Sequence, residues 1–440
     1  MLPPLSPRPS GLRRAERPAD ASSASTSASP AAGPTVADVF TAPHPVPRAA
    51  GGMREVLLKL ARRTPLPLEA LLAPRVPVAG RAADLPASVS GGEGSLAPHL
   101  SLDMKGANYL NGTLRPWELA RVGAVREDAL EAPGRTYVGL EHAPTPEARA
   151  QLAFDEMLRK GDFERDNLLI IVPTSSGYVN PTTVGALEAG LGGRIASVVV
   201  QYYNRPAAFS THKVGTGRDT YAALIELVAG ELERRRSAGL SVPRLLGSGE
   251  SMGAWVLTDA TLRDGESGLA AAGFDRVLLV GTPGFSEFAG EVVGKASASQ
   301  LAEQGITRFD SPGTLQSHGA PERADVFMLE HTEDPVVKLD WDLLVHEPAV
   351  WPEDRPFVPV RSFFSVARDV PSVSRMDPKK WTAPTGHFYD PELAEVANTA
   401  FAMGLSAEQL ERTNDLLRER VGQGVGVSST GLPNAPLRQD

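Results

Sequence analysis

Gly249-Glu250-Ser251-Met252-Gly253 is the stretch of this chain whose residue types and spacing point most directly to covalent chemistry. It fits G-x-S-x-G, the pattern of a nucleophile elbow, where a serine stands on a sharp turn between a strand and a helix. The spacing has a steric reason. The serine needs a strained backbone to hold its Oγ clear of the sheet, and glycines two before and two after let strand and helix approach closely. With 42 glycines in 440 residues the pattern alone is weak, so its flanks decide. Leu245-Leu246 supplies a short buried strand, and Met252 to Leu262 a helix.

A serine hydroxyl needs a base, and the base an orienting carboxylate, in the chain order serine, acid, histidine. Four histidines follow Ser251: His318, His331, His346 and His387. His318 precedes a strand, His331 ends it, and His346 follows Leu343-Leu344-Val345 like a helix-end residue. His387, in Pro384-Thr385-Gly386-His387-Phe388-Tyr389, sits in a loop just before a C-terminal helix, where the base is expected. The acid belongs on the turn after a late strand. Within Glu330-His331-Thr332-Glu333-Asp334-Pro335, Asp334 is preferred because Pro335 fixes the turn, and Glu333 is the alternative. An oxyanion needs donors aimed at it: the amide of Met252 and one from Thr174-Ser175, in the loop after an earlier strand.

The elements that must position these groups are legible from Thr136 onward. Tyr137–Leu140, Leu168–Pro173, Ser197–Tyr203, Val277–Val280 and Val326–Leu329 read as strands, and their continuous apolar runs suit a sheet covered on both faces. Thr145 and Pro146 open a helix running to about Lys160. Further helices are expected over Thr183–Leu191 and over Asp219–Arg236, where Tyr221, Leu224, Ile225, Val228 and Leu232 share one face. Asp390 and Pro391 start a helix carrying Leu393, Val396, Ala400 and Phe401, and Ser406 opens the last one. Strands alternating with helices predict an α/β fold, a mostly parallel sheet flanked by helices.

Around this body, residues 1–52 form a Pro/Ala/Ser-rich tail expected to be disordered, with too little apolar surface to offset ordering. Residues 53–134 read as a helical and irregular extension, with a helix over Met53–Arg63 and a short one at Trp117 and Leu119 after Pro116. Residues 135–422 form the main domain, 285–323 a possible cap insertion, and 423–440 a loose tail. The net charge of −9 argues against nucleic acid as a partner. Cysteine is absent, which excludes disulfides and thiol nucleophiles. There is no H-E-x-x-H or comparable ligand cluster, so neither metal nor cofactor is expected. No apolar run approaches a membrane span and no signal-peptide core is seen; a soluble, cytoplasmic protein is expected, with export through the Ser/Pro-rich tail as the alternative.

Residues from about Arg135 to Tyr389 resemble the bacterial alpha/beta-hydrolase family whose longer members carry an N-terminal membrane domain. The resemblance rests on Tyr137-Val138-Gly139-Leu140, Val172-Pro173-Thr174, Gln201-Tyr202, the elbow, Asp334-Pro335-Val336-Val337 and Gly386-His387-Phe388-Tyr389. It implies a Ser251–Asp334–His387 triad and a serine hydrolase acting on esters. This chain departs from the pattern by lacking the hydrophobic N-terminal spans, and by reading Thr174-Ser175-Ser176 where a glycine is expected after the threonine. The expected activity is ester hydrolysis through an acyl-enzyme on Ser251. The alternatives are acyl transfer or a thioesterase or cyclase reaction through the same intermediate, and a non-catalytic binding module of the same fold.

Overall fold

The apolar runs pair into one sheet. Its strands are β1 (Gly134–Val138), β2 (Asn167–Val172), β3 (Ile195–Val200), β4 (Arg244–Glu250), β5 (Arg276–Val280), β6 (Ile306–Phe309) and β7 (Val326–Leu329). All pairings are parallel, in the order β1-β3-β2-β4-β5-β7-β6, which puts the elbow strand β4 at the centre. Pleating sends Leu168, Ile170 and Val172 of β2 into one apolar layer, and Leu169 and Ile171 into the other. A strand buried on both faces therefore has no polar alternation to show.

The computed structural model describes residues 85–99, 102–204, 211–262, 267–294, 296–317, 325–348, 351–352, 355–370 and 386–422. The expected tail 1–52, the Met53–Arg63 helix, His318 and the terminal segment 423–440 lie outside these.

On one face lie α3 (Pro146–Lys160), α5 (Val214–Ser237) and α6 (Met252–Thr261), contributing Met157, Tyr221, Leu224 and Val256 to the core. On the other lie α1 (Met104–Asn111), α4 (Pro181–Gly190), α8 (Leu393–Ala400) and α9 (Ala407–Gly422), contributing Leu110, Leu187, Leu393 and Leu417. α2 (Pro116–Val122) buries Leu119 but leaves Trp117 largely exposed. α7 (Arg361–Asp369) stands beyond the sheet with a small core of its own, in which Trp341 stacks on Phe363. No helix among the described residues is long and apolar enough to cross a membrane.

Several boundaries differ from expectation, each for a physical reason. α3 starts as expected, with Thr145 Oγ1 accepting the Ala148 amide at 3.1 Å. α5 starts five residues before Asp219, through two glycines that argue against helix. Gly217 is there because a Cβ would meet Val256 Cγ2 of α6 at 2.7 Å. Part of the segment expected as a cap belongs to the sheet: Ile306–Phe309 is its edge strand, and Arg308 is fastened to Glu330 of the neighbouring chain segment at 2.6 Å. Asp390 does not cap the helix after it; residues Asp390–Glu392 make a 3-10 turn, and the Asp390 carboxyl is turned to Asn180 instead. In the stretch before β1, α1 is held down by Arg135 of β1, which donates to the Tyr109 carbonyl and is itself fixed by a buried ion pair with Glu188 of α4 at 2.6 Å.

Candidate functional site

β4 and α6 are joined by a single residue, Ser251, with φ +54° and ψ −121°. A left-handed φ on a non-glycine residue is a strained conformation that persists only when its surroundings impose it. Here they do. The Ser251 amide donates to Val280 O of β5 at 2.8 Å, and its carbonyl accepts from Trp255 one helical turn on. Both flanking glycines are required by backbone contact. A Cβ on Gly249 would lie 2.7 Å from the Ala254 nitrogen, and one on Gly253 only 2.2 Å from Val172 O. The expected steric role of the two glycines is thus observed atom by atom, with Gly253 pressing helix α6 onto β2.

Asp334 ends the turn after β7 and is fully buried. Its Oδ1 accepts the Val336 amide at 2.8 Å, which caps the short helix Pro335–Lys338. Its Oδ2 accepts two donors at 2.6 Å each, His387 Nδ1 and Tyr389 Oη. Burial pushes the carboxyl up, but the His387 charge and the hydrogen bonds from His387, Tyr389 and Val336 outweigh it and hold Asp334 below the usual range. Glu333, the alternative acid, does not take this place. His387 is the mirror case: burial lowers it, yet Asp334 and, at longer range, Glu250 raise it above the usual imidazole value. The His387 ring lies against Gly281, where a Cβ would come within 2.9 Å of Cε1, and Gly281 follows the Val280 that holds the Ser251 amide. One strand end, Val280-Gly281, therefore carries both the serine's anchor and the floor under the imidazole.

A sequence model of the Alpha/beta-hydrolase family matches residues 134–413, from the first residue of β1 into α9. The chain belongs to this alpha/beta-hydrolase family. No curated protein and no solved structure matches it.

Of the two expected oxyanion positions in this alpha/beta-hydrolase, Met252 opens α6, whose first-turn amides have no acceptor within the helix. The second is the Thr174-Ser175 loop after β2. β2 and β4 stay in register to Val172 and Gly249, so the loop from Pro173 emerges beside the elbow as expected. The Thr174 amide, however, is committed to Tyr178 O at 2.9 Å, closing a turn in which Gly177 also donates to Thr174 O. What Thr174 can still present is its hydroxyl, 3.0 Å from Ser176 Oγ; Ser175 is buried. Gly177, three residues after Thr174, has φ +82°, and a Cβ there would strike Tyr137 Oη and Gln201 Nε2 at 2.6 Å.

Two features of the site were beyond the sequence. His331, read as a strand-end residue, is buried with both ring nitrogens engaged: Nδ1 on Gly386 O at 2.7 Å and Nε2 on Glu392 Oε1 at 2.5 Å. A carbonyl and a carboxylate can both accept, an arrangement that favours the doubly protonated ring. Burial opposes that charge, but the Glu392 and Gly386 contacts raise His331 above its usual value. Its ring stacks on Tyr389 with 4.0 Å between centroids, and its amide donates to Tyr389 Oη at 3.3 Å. His331 therefore ties down the residues on either side of His387. The second feature is a pair of carboxyls beside the elbow, half-buried Glu250 and buried Asp390. His346, by contrast, is exposed at the end of a 3-10 turn, away from these contacts.

Proposed function

We propose that this protein is a serine hydrolase that cleaves a carboxylic ester through an acyl-enzyme on Ser251. The observation that carries the reading is the 2.6 Å Asp334–His387 hydrogen bond delivered to the same strand end that anchors Ser251. With Nδ1 donating to Asp334, the Nε2 of His387 is left unprotonated and fit to accept the Ser251 proton. Ser251 Oγ then attacks the acyl carbonyl, and the resulting imidazolium is stabilised by the Asp334 carboxylate. The Met252 amide, with a donor from the Thr174–Gly177 turn, stabilises the oxyanion. Collapse expels the alcohol with the proton from His387, and a water activated by the same base releases the acid.

The test is labelling by a fluorophosphonate probe, which reacts only with an activated serine. Wild-type protein should label and Ser251→Ala should not, with parallel loss of turnover on a short p-nitrophenyl ester. Labelling that persists in folded Ser251→Ala would overturn the assignment.

A further inference from the structure

Asn180 caps α4: its side-chain Oδ1 accepts the Thr182 amide at 2.9 Å. That fixes the orientation of the amide, so its Nδ2 group points the other way, with two hydrogens to give. One goes to Asp390 Oδ1 at 2.7 Å, and the same side chain hydrogen-bonds Glu250. Two carboxyls from distant parts of the chain thus converge on one NH2 group. Glu250 directly precedes Ser251, and Asp390 lies three residues after His387. The other Asp390 oxygen, Oδ2, is buried without a hydrogen-bond partner among the described residues. Thr174, Tyr178, Asn180 and Glu250 border a cavity of about 20 Å³ at this point, room for about one water.

We propose that Glu250 and Asp390 hold one proton between them on Asn180, and that the Glu250 carboxylate is a positioning charge that strengthens His387 as a base, in addition to Asp334. The inference rests on the serine-hydrolase reading for the role of His387 as base, but the electrostatic link it asserts does not.

The physical case is one of crowding and burial. Two carboxylates sharing a buried site cannot both ionise without cost, as neither the amide nor the cavity supplies a full positive charge. The groups facing Glu250 are Asp390, the His387 ring, Asp334 and the Asn180 amide, with Tyr178 of the loop after β2 alongside. Burial and then the Asp390 charge push Glu250 up to about 7, while His387 opposes the shift. Burial pushes Asp390 up to about 6, and the Asn180 hydrogen bond opposes it. Each carboxyl therefore resists the ionisation of the other, and one proton stays in the pair. Glu250 gives it up over the range where His387 also titrates, and its anion then favours the imidazolium that forms when Ser251 is deprotonated. The pair titrates as a unit, so the observable is the shift at His387.

The experiment is a histidine NMR titration of the full-length protein, reading the His387 ring in wild type, Glu250→Gln and Asp390→Asn. Glu250→Gln removes the anion, so the His387 midpoint should fall by roughly half to one pH unit. Asp390→Asn removes the charge that keeps Glu250 protonated, so the midpoint should rise. Opposite shifts support the proposal. An unmoved midpoint in Glu250→Gln, or shifts of the same sign in both variants, overturns it. Should Glu250→Gln fail to fold, Asp390→Asn alone decides: a midpoint that rises supports the proposal, and one that stays or falls overturns it. Fluorophosphonate labelling of the same samples reports separately on the serine-hydrolase reading, because a chain that never labels can still show, or fail to show, these shifts.

Discussion

Tyr389 Oη and His387 Nδ1, two residues apart in the chain, donate to the same oxygen of Asp334, each at 2.6 Å. The Asp334 carboxylate is thereby fixed from three sides, the third being the Val336 amide on its other oxygen. An acid held this way orients the imidazole without needing solvent to complete its hydrogen bonds. Asp334→Asn should lose about four orders of magnitude in kcat, because an amide favours the wrong imidazole tautomer. Tyr389→Phe removes one charge-assisted hydrogen bond, worth about 1.5–3 kcal/mol, so a fall of about ten-fold or more in kcat is expected with the fold kept. Equal rates in Tyr389→Phe and wild type would show that the Tyr389 hydrogen bond is idle in turnover. If Glu333→Gln proved as damaging as Asp334→Asn, the turn would have been misassigned.

The glycines around the site separate folding from activity. Gly253→Ala would put a Cβ 2.2 Å from a strand carbonyl that cannot move without dragging β2. A loss of about 3 kcal/mol of stability is expected in chemical denaturation. Gly281→Ala is different in kind. It meets the His387 ring at 2.9 Å and takes a left-handed φ of +57°, costing about 1 kcal/mol of backbone strain while displacing the imidazole. Stability should fall modestly and kcat/KM by a hundred-fold or more. Full activity in Gly281→Ala would mean that His387 sits elsewhere in the working enzyme.

How much of this was readable beforehand depends on whether the signal is local. The elbow was legible because the demand for Gly249 and Gly253 comes from backbone atoms within the motif and one neighbouring strand. Asp334 and His387 are singled out by chain order and turn chemistry. His331 carried no local mark: its partners Gly386 and Glu392 lie more than fifty residues on, and only the fold brings them to it. Asp390 misled for a related reason, since an aspartate before a proline reads as a helix cap, and only the arrival of Asn180 turns its carboxyl away. β6 was missed because an edge strand of four residues, Ile306-Thr307-Arg308-Phe309, has too few apolar positions to stand out. The stretch before β1 is punctuated by prolines and is organised by ion pairs such as Arg420 with Glu118, which link residues some three hundred apart.

The His331–Glu392 pair predicts a pH-dependent contribution to stability. His331 is raised in the folded state, so its contribution is fully present below the unfolded value of 6.5 and disappears as pH rises through the folded value. His331→Gln should therefore destabilise more at pH 6 than at pH 9. Breaking a buried charged pair by removing one partner costs about 3–5 kcal/mol, and the loss at pH 6 should approach that range. Urea unfolding at the two pH values measures it. A destabilisation independent of pH would mean that the ring is held for its shape and stacking on Tyr389 rather than for its charge.

The rate should follow the opposite course over the same range. With His387 as the proposed base, hydrolysis requires its neutral form, so kcat/KM should rise with pH through the imidazole's titration. From the sequence alone that limb belongs near pH 6 to 7. In the folded protein burial lowers His387, but Asp334 and Glu250 outweigh it and the net direction is up, which places the midpoint above 6.5. The same raised value means that the Asp334–His387 contact contributes most to stability below pH 6.5 and fades as the ring loses its proton. Activity should thus climb while this part of the stability declines. Measuring the pH dependence of kcat/KM alongside urea midpoints tests both limbs at once. A rate that failed to rise with pH through the imidazole's range would count against His387 as the base.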